Sequence, residues 1–190
     1  MYLLESLSKL LKSGNERKVY HALNTDVVQP LRKELSDSDA VVIACPLYVD
    51  SIPSNLLEVL SALEKELGVK TRETKVYLLV NNGFYDAIQN SIAIDLLWNW
   101  CDKSGLNRGY AIGVGAGGMV QMFPVGQGPS ANLGKALRKF ADDIENGRSA
   151  DPVFVEPNFP RALYQMAAHI GWRKGAKANG LKVSDLKRTL

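Results

Sequence analysis

The sequence predicts a three-layer α/β domain on a parallel sheet, followed by an extra C-terminal helix. Three observations carry that reading. Apolar runs without polar alternation occur at Val41-Val42-Ile43-Ala44-Cys45, Val76-Tyr77-Leu78-Leu79-Val80 and Tyr110-Ala111-Ile112-Gly113-Val114. Each ends in a loop rich in Pro, Asn or Gly. Each loop leads into a segment whose apolar residues recur at helical spacing. Strands buried on both faces read as continuous apolar runs, and strands alternating with helices form βαβ units.

The elements follow in order. Leu3, Leu4, Leu7, Leu10 and Leu11 recur at helical spacing, and Ser13-Gly14-Asn15 stops that helix. Residues 18–23 read as a strand, with Tyr20 and His21 suggesting a partly exposed edge. Residues 27–35 suit a short helix after Asp26, and Pro30 leaves its start open. The strand at 41–45 is expected to be buried on both faces. Ser51 or Ser54 caps the next helix, which carries Leu56, Leu57, Leu60 and Leu63.

The second run ends at Asn81-Asn82-Gly83-Phe84, and the following helix places Ile88, Ile92, Leu96, Leu97 and Trp100 on its buried side. The third run leads into Gly115-Ala116-Gly117-Gly118. Leu133, Leu137, Phe140 and Ile144 mark the next helix, closed by Gly147. Pro152, Pro157 and Pro160 then break the chain into an extended connector. A last helix carries Leu163, Met166, Ala167 and Ile170 on one face and ends near Gly180, and Ser184-Asp185-Leu186 opens a further short turn. Residues 1–150 are therefore expected to form the main domain. Residues 151–190 form an extension whose helix packs on that domain or on a partner subunit.

Composition bounds the function. A chain of 190 residues can bury about 70% of its unfolded surface. A net charge of +3 does not argue for nucleic acid. From Arg161 onward, seven Lys or Arg face one acid, Asp185, so the preceding part is net acidic. That basic tail, with Trp172, reads as a solvated helix face rather than a nucleic-acid surface. Cys45 and Cys101 are too few for a disulfide framework or a C-x-x-C motif and read as reduced core thiols. No apolar stretch approaches the roughly 20 residues that span a bilayer, so no membrane partner is expected. Glu5 and Lys9 interrupt the N-terminal apolar residues, which argues against a signal peptide and makes a cytoplasmic location the default. With only His21 and His169, hydrolytic triads and metal sites have little to draw on.

In open α/β sheets, ligands bind outside the carboxyl ends of the strands. Three such ends converge here: Pro46-Leu47-Tyr48-Val49-Asp50, Asn81-Asn82-Gly83-Phe84-Tyr85 and Gly115-Ala116-Gly117-Gly118-Met119. Aromatic rings, amides and glycine-freed backbone N–H groups together suit a flat heteroaromatic ligand. Each piece also has a plainer reading. Tyr48 and Phe84 can cap the core, Asn81-Asn82-Gly83 can be a turn, and the glycine run lacks full G-x-G-x-x-G spacing.

On Asp39-Ala40-Val41-Val42-Ile43-Ala44-Cys45-Pro46-Leu47-Tyr48 through Ile52-Pro53, and on Val80-Asn81-Asn82-Gly83-Phe84, the chain resembles the flavodoxin-like superfamily. Within it, the likeness is to NAD(P)H-dependent FMN reductases and their iron–sulfur flavoprotein-like relatives. The resemblance implies a flavodoxin-like three-layer sandwich and an FMN-dependent oxidoreductase. NAD(P)H would be the electron donor and a small molecule or protein the acceptor, in a homo-oligomer. It assigns cofactor contacts to Pro46, Leu47, Tyr48 and Val49 after one strand, and to Asn82, Gly83 and Phe84 after the next. The flavin does the redox chemistry, so no catalytic side chain is nominated, and without a cysteine cluster no iron–sulfur centre is expected. The family begins with a central strand and a phosphate-binding loop. Here the chain opens at what looks like the following helix, Met1-Tyr2-Leu3-Leu4. A truncated start, residues 18–23 moved into the vacant lane, or another subunit filling it would each account for that. A cofactor-free subunit acting through protein association is the alternative reading.

Overall fold

The computed structural model describes residues 2–67 and 73–187, so Met1 lies outside the described residues. The chain divides into two compact units, Met1–Pro157 and Asn158–Leu190.

The first unit is a three-layer α/β sandwich compatible with a flavodoxin-like fold. Its sheet has four parallel strands in the order β1 (Ala40–Pro46), β2 (Lys75–Asn81), β3 (Asn107–Val114) and β4 (Val153–Val155). Strand side chains alternate between two cores, as the two-residue period requires. Val76, Leu78 and Val80 of β2 enter the core formed with α2 (Val28–Asp37), α3 (Ser54–Leu67) and α4 (Ser91–Lys103). Tyr77 and Leu79 enter the opposite core, with α1 (Tyr2–Ser8) and α6 (Ala131–Glu145). All five side chains are fully buried, each contributing about 1.5–3 kcal/mol. The short helix α5 (Gly117–Val120) follows β3.

Several expectations are corrected. The run at 41–45 packs on both cores, Val41 and Ile43 on one and Val42 and Ala44 on the other, but is only partly buried. β1 is an edge strand, and of its seven residues only Cys45 is buried. Residues 18–23 form no strand and do not fill the lane beside β1. Side-chain bonds hold this stretch against helices instead: Lys18 Nζ donates to Glu34 Oε1 at 2.9 Å, and Asn55 Nδ2 to the Ala22 carbonyl at 2.7 Å. With no ladder to join, Val19 and Leu23 stay exposed.

On the helices, Leu57 of α3 and Ile88 and Ile92 around the start of α4 face outward. The buried face of α4 is Ala93, Ile94, Leu97, Trp98, Trp100 and Cys101. The connector after Pro152 holds β4, a strand the prolines obscured. It pairs Ile112 with Val153 and Val114 with Val155. Between those pairs, a Cβ on Gly113 would stand 2.7 Å from the Phe154 ring, so glycine leaves room for that side chain.

The predicted helix at 27–35 forms as α2, entered through a 3₁₀ turn, Thr25–Val27. Asn24 Oδ1 caps that turn by accepting from Asp26 N, and Pro30 sits in the first turn of α2, where a missing N–H costs nothing. The second unit holds α7 (Arg161–Ala178), ended by Gly180 at φ +72 and a Leu181 N–H bonded to the Ala176 carbonyl at 2.9 Å. A 3₁₀ turn, Val183–Lys187, follows. Among the described residues, no helix is long and apolar enough to cross a membrane.

Candidate functional site

Parallel registry brings three loops to one rim. Pro46 stands opposite Asn81, and Asn81 opposite Val114. One further backbone bond extends each ladder past the strands. Leu47 N donates to Asn81 O at 2.7 Å, Asn82 N to Val114 O at 3.0 Å, and Gly115 N to Val155 O at 3.0 Å.

The first loop is a two-residue turn. Tyr48 and Ser51 exchange backbone bonds of 2.8 and 3.0 Å, and the central residues Val49 and Asp50 have φ of 48 and 58. Left-handed backbone at both positions matches a type I′ turn, for which Asn-Gly is the usual sequence. A β-branched Val in this conformation is an outlier, and such strain gathers at functional loops. The turn lifts Tyr48 to 61% exposure, with Val49 at its tip fully exposed. Pro46 and Leu47 lie lower and are half-buried, and Leu47 packs on the α2–α4 core.

The second loop is organised by Asn82, which is buried. Its Oδ1 accepts from Phe84 N at 2.9 Å, and its Nδ2 donates to the Asp86 carbonyl at 3.0 Å. Its amide therefore shapes the turn from inside, while Gly83 and Phe84 remain exposed. Tyr48 and Phe84 thus stand on turns leaving adjacent parallel strands at the same end of the sheet.

The third loop differs in kind. Gly115 N, Ala116 N and Gly117 N donate to Val155 O, Phe84 O and Asn82 O respectively. A Cβ on Gly115 would lie 2.3 Å from Tyr85 O, and one on Gly117 would lie 2.4 Å from Asn81 Nδ2. These glycines permit loops to pack against each other, and their N–H groups are already engaged. Further along, Met122 is exposed and Phe123 partly so. The Tyr2 hydroxyl donates to the carbonyls of Val120 and Phe123, both at 3.0 Å. Burial pushes its phenol pKa up, keeping that donor protonated. Sequence reasoning missed Tyr2, Met122 and Phe123; the apolar residues just past the glycine run were the available signal.

The segments that form the rim carry no cation of their own, although Arg138 of α6 reaches Gly126, where a Cβ would lie 3.7 Å from its guanidinium. Residues 46–53, 82–86 and 115–130 include Asp50 and Asp86 and no Lys or Arg. Cys45, one residue before the rim, is a buried thiol whose pKa burial pushes up to about 12. That leaves it neutral and inert as a nucleophile. Among the described residues, no group of three or more His, Cys, Asp or Glu is placed to hold a metal.

A cleft of about 530 Å³ opens at the other end of the strands, lined by residues 36–39, 73–75 and Gly147. Its lining offers no aromatic surface, so the strand-end rim is the better site for a flat ligand. No protein-family model and no curated protein matches this chain.

Proposed function

We propose that this chain is a flavodoxin-like oxidoreductase whose strand-end rim binds the ring of a flavin. FMN is the cofactor the resemblance points to, with NAD(P)H as donor and a small molecule or protein as acceptor. One observation carries the reading: exposed Tyr48 and Phe84 stand on turns that leave neighbouring parallel strands. Aromatic faces on adjacent turns can hold a planar ring system by offset or edge contact.

A bound flavin supplies the redox chemistry, and the protein supplies binding and position. Asn82 fixes the Phe84 turn, and Leu47 and Val49 add apolar surface beside Tyr48. The residues present fit the ring. The N–H groups of Gly115, Ala116 and Gly117 are engaged by protein carbonyls, so those three do not form a phosphate cradle. The test is a visible spectrum of the purified protein, followed by titration with FMN. Flavin colour or saturable binding supports the reading, and absence of both ends it.

A second reading rests on a different observation. Among the described residues, no strand pairs with the outer edge of β1, which carries no Lys, the kind of edge proteins ordinarily protect. A cofactor-free subunit joined to a partner through that edge would explain it. Light scattering separates the two, since a flavin-bound monomer contradicts association and a flavin-free oligomer favours it.

A further inference from the structure

We propose that α7 docks on α4 of a second copy of this chain, laying an apolar-then-basic stripe along an apolar-then-acidic one. Around the start of α4, Ile88 and Ile92 are 55% and 63% exposed, and Asp95 follows them, also exposed. Residues at i, i+4 and i+7 share one side of a helix. On α7, Leu163, Met166 and Ile170 stand at i, i+3 and i+7, and all three are exposed. Arg173, Lys174 and Lys177 continue that face toward the helix end and are exposed as well.

The two stripes match in register and in chemistry. Ile88 and Ile92 are four residues apart, as are Met166 and Ile170, about 6 Å along either helix axis. Asp95 lies three residues past Ile92, and Arg173 and Lys174 lie three and four past Ile170. With the helices parallel, the aliphatic pairs meet side by side and Asp95 comes opposite the cations. Exposed aliphatic anchors at this spacing are what a helix–helix seam buries. Charge favours a copy of this chain as the occupant, because the part before Arg161 is net acidic and α7 is basic. Arg108 also acts on Asp95, but its guanidinium is held by Asp102, so a net negative charge remains there for α7 to meet. Lys103 lies about two turns beyond Asp95. Each chain carries both stripes, so two copies make the contact twice, as a two-fold dimer requires. The contact does not depend on a bound flavin.

The experiment measures the mass of the full chain by light scattering across concentration. Expected is a dimer, twice the chain mass of 20.9 kDa. Ile92→Glu and Ile170→Glu should each weaken it by about tenfold or more, since each places a charge in the seam. Both positions are exposed, and circular dichroism checks that the variants stay folded. Lys174→Glu should weaken the dimer too, and adding Asp95→Lys should restore it in part. An Ile92→Cys chain mixed with a differently tagged Ile170→Cys chain and a short thiol cross-linker should give a covalent species carrying both tags. Cys45 and Cys101 are buried and do not compete. A monomer at every concentration overturns the proposal. So does a dimer that both glutamate variants leave unchanged, which would point to the β1 edge instead. A chain carrying both new cysteines that cross-links within a single monomer overturns it as well.

Discussion

The side-chain oxygen of Asn82 accepts the backbone N–H of Phe84 at 2.9 Å, so a buried amide sets the position of an exposed ring. The same side chain donates to the Asp86 carbonyl at 3.0 Å, closing the turn from both directions. Asn82→Ala removes both bonds and leaves a part-buried carbonyl and N–H to find other partners. The expected loss is about 1–3 kcal/mol in urea unfolding. Flavin affinity should fall with it, because Phe84 loses its fixed backbone. Unchanged stability in the variant would mean the turn is held by other contacts.

Gly117 and Gly118 are adjacent and chemically identical, yet their surroundings differ. A Cβ on Gly117 meets Asn81 Nδ2 at 2.4 Å and Asn82 O at 2.9 Å, whereas nothing lies within 4 Å of one on Gly118. Gly117→Ala should therefore destabilise by about 1–3 kcal/mol through overpacking against the second loop. Gly118→Ala should be neutral or slightly stabilising, because it lowers the entropy of the unfolded chain at an unstrained site. Thermal melts of the two variants give the comparison directly.

The βα rhythm was legible because buried parallel strands leave an unmistakable apolar run, as Val76 to Val80 does. The same pattern misplaced β1. A run such as Val41 to Cys45 reports affinity for burial, and whether a neighbour strand exists is decided elsewhere in the chain. Residues 18–23 had strand-like composition, but bonds from Lys18 to Glu34 and from Asn55 to Ala22 tie them to helices. At the rim, the order of residues located Tyr48 and Phe84 on neighbouring turns. It did not reveal that Asn82 faces inward, nor that the glycine N–H groups are engaged. The first rests on bonds within one loop, from the Asn82 side chain to Phe84 and Asp86, and the second on contacts of Gly115, Ala116 and Gly117 with segments distant in the chain, which no local pattern encodes.

Val49 and Asp50 hold left-handed backbone at φ 48 and 58 without being glycine. An L-residue in that region costs about 1–2 kcal/mol, and β-branched Val is among the least suited. Replacing the pair by Asn-Gly keeps the type I′ geometry and removes the strain. The double variant Val49→Asn, Asp50→Gly should unfold at higher urea, by about 1 kcal/mol or more. Val49 is fully exposed, so no packing is lost at the tip. A destabilised double variant would show that the turn does not hold this geometry in solution.

Asp143 is a buried charge near the end of α6, where the chain turns towards β4, and is 3% exposed. Lys139 Nζ bonds its Oδ2, Arg148 Nε donates to its Oδ1 at 2.8 Å, and Arg148 N donates to its carbonyl at 2.8 Å. Burial works to raise the carboxyl pKa, but hydrogen bonds from Lys139 and Arg148 outweigh it and hold the group below its usual range. A carboxyl lowered in the fold is protonated first in the unfolded chain. Its contribution is therefore complete above the unfolded value, about pH 4, and is lost as pH falls through the lower folded value. Asp143→Asn should cost about 2–3 kcal/mol at neutral pH, because the amide oxygen can accept from only one of the two cations and Nδ2, itself a donor, faces the other. Urea midpoints taken from about pH 7 down to about pH 3 should then converge for the two proteins below about pH 4, because only the parent loses this contribution. Parallel curves across that range would mean the carboxylate contributes nothing through its charge.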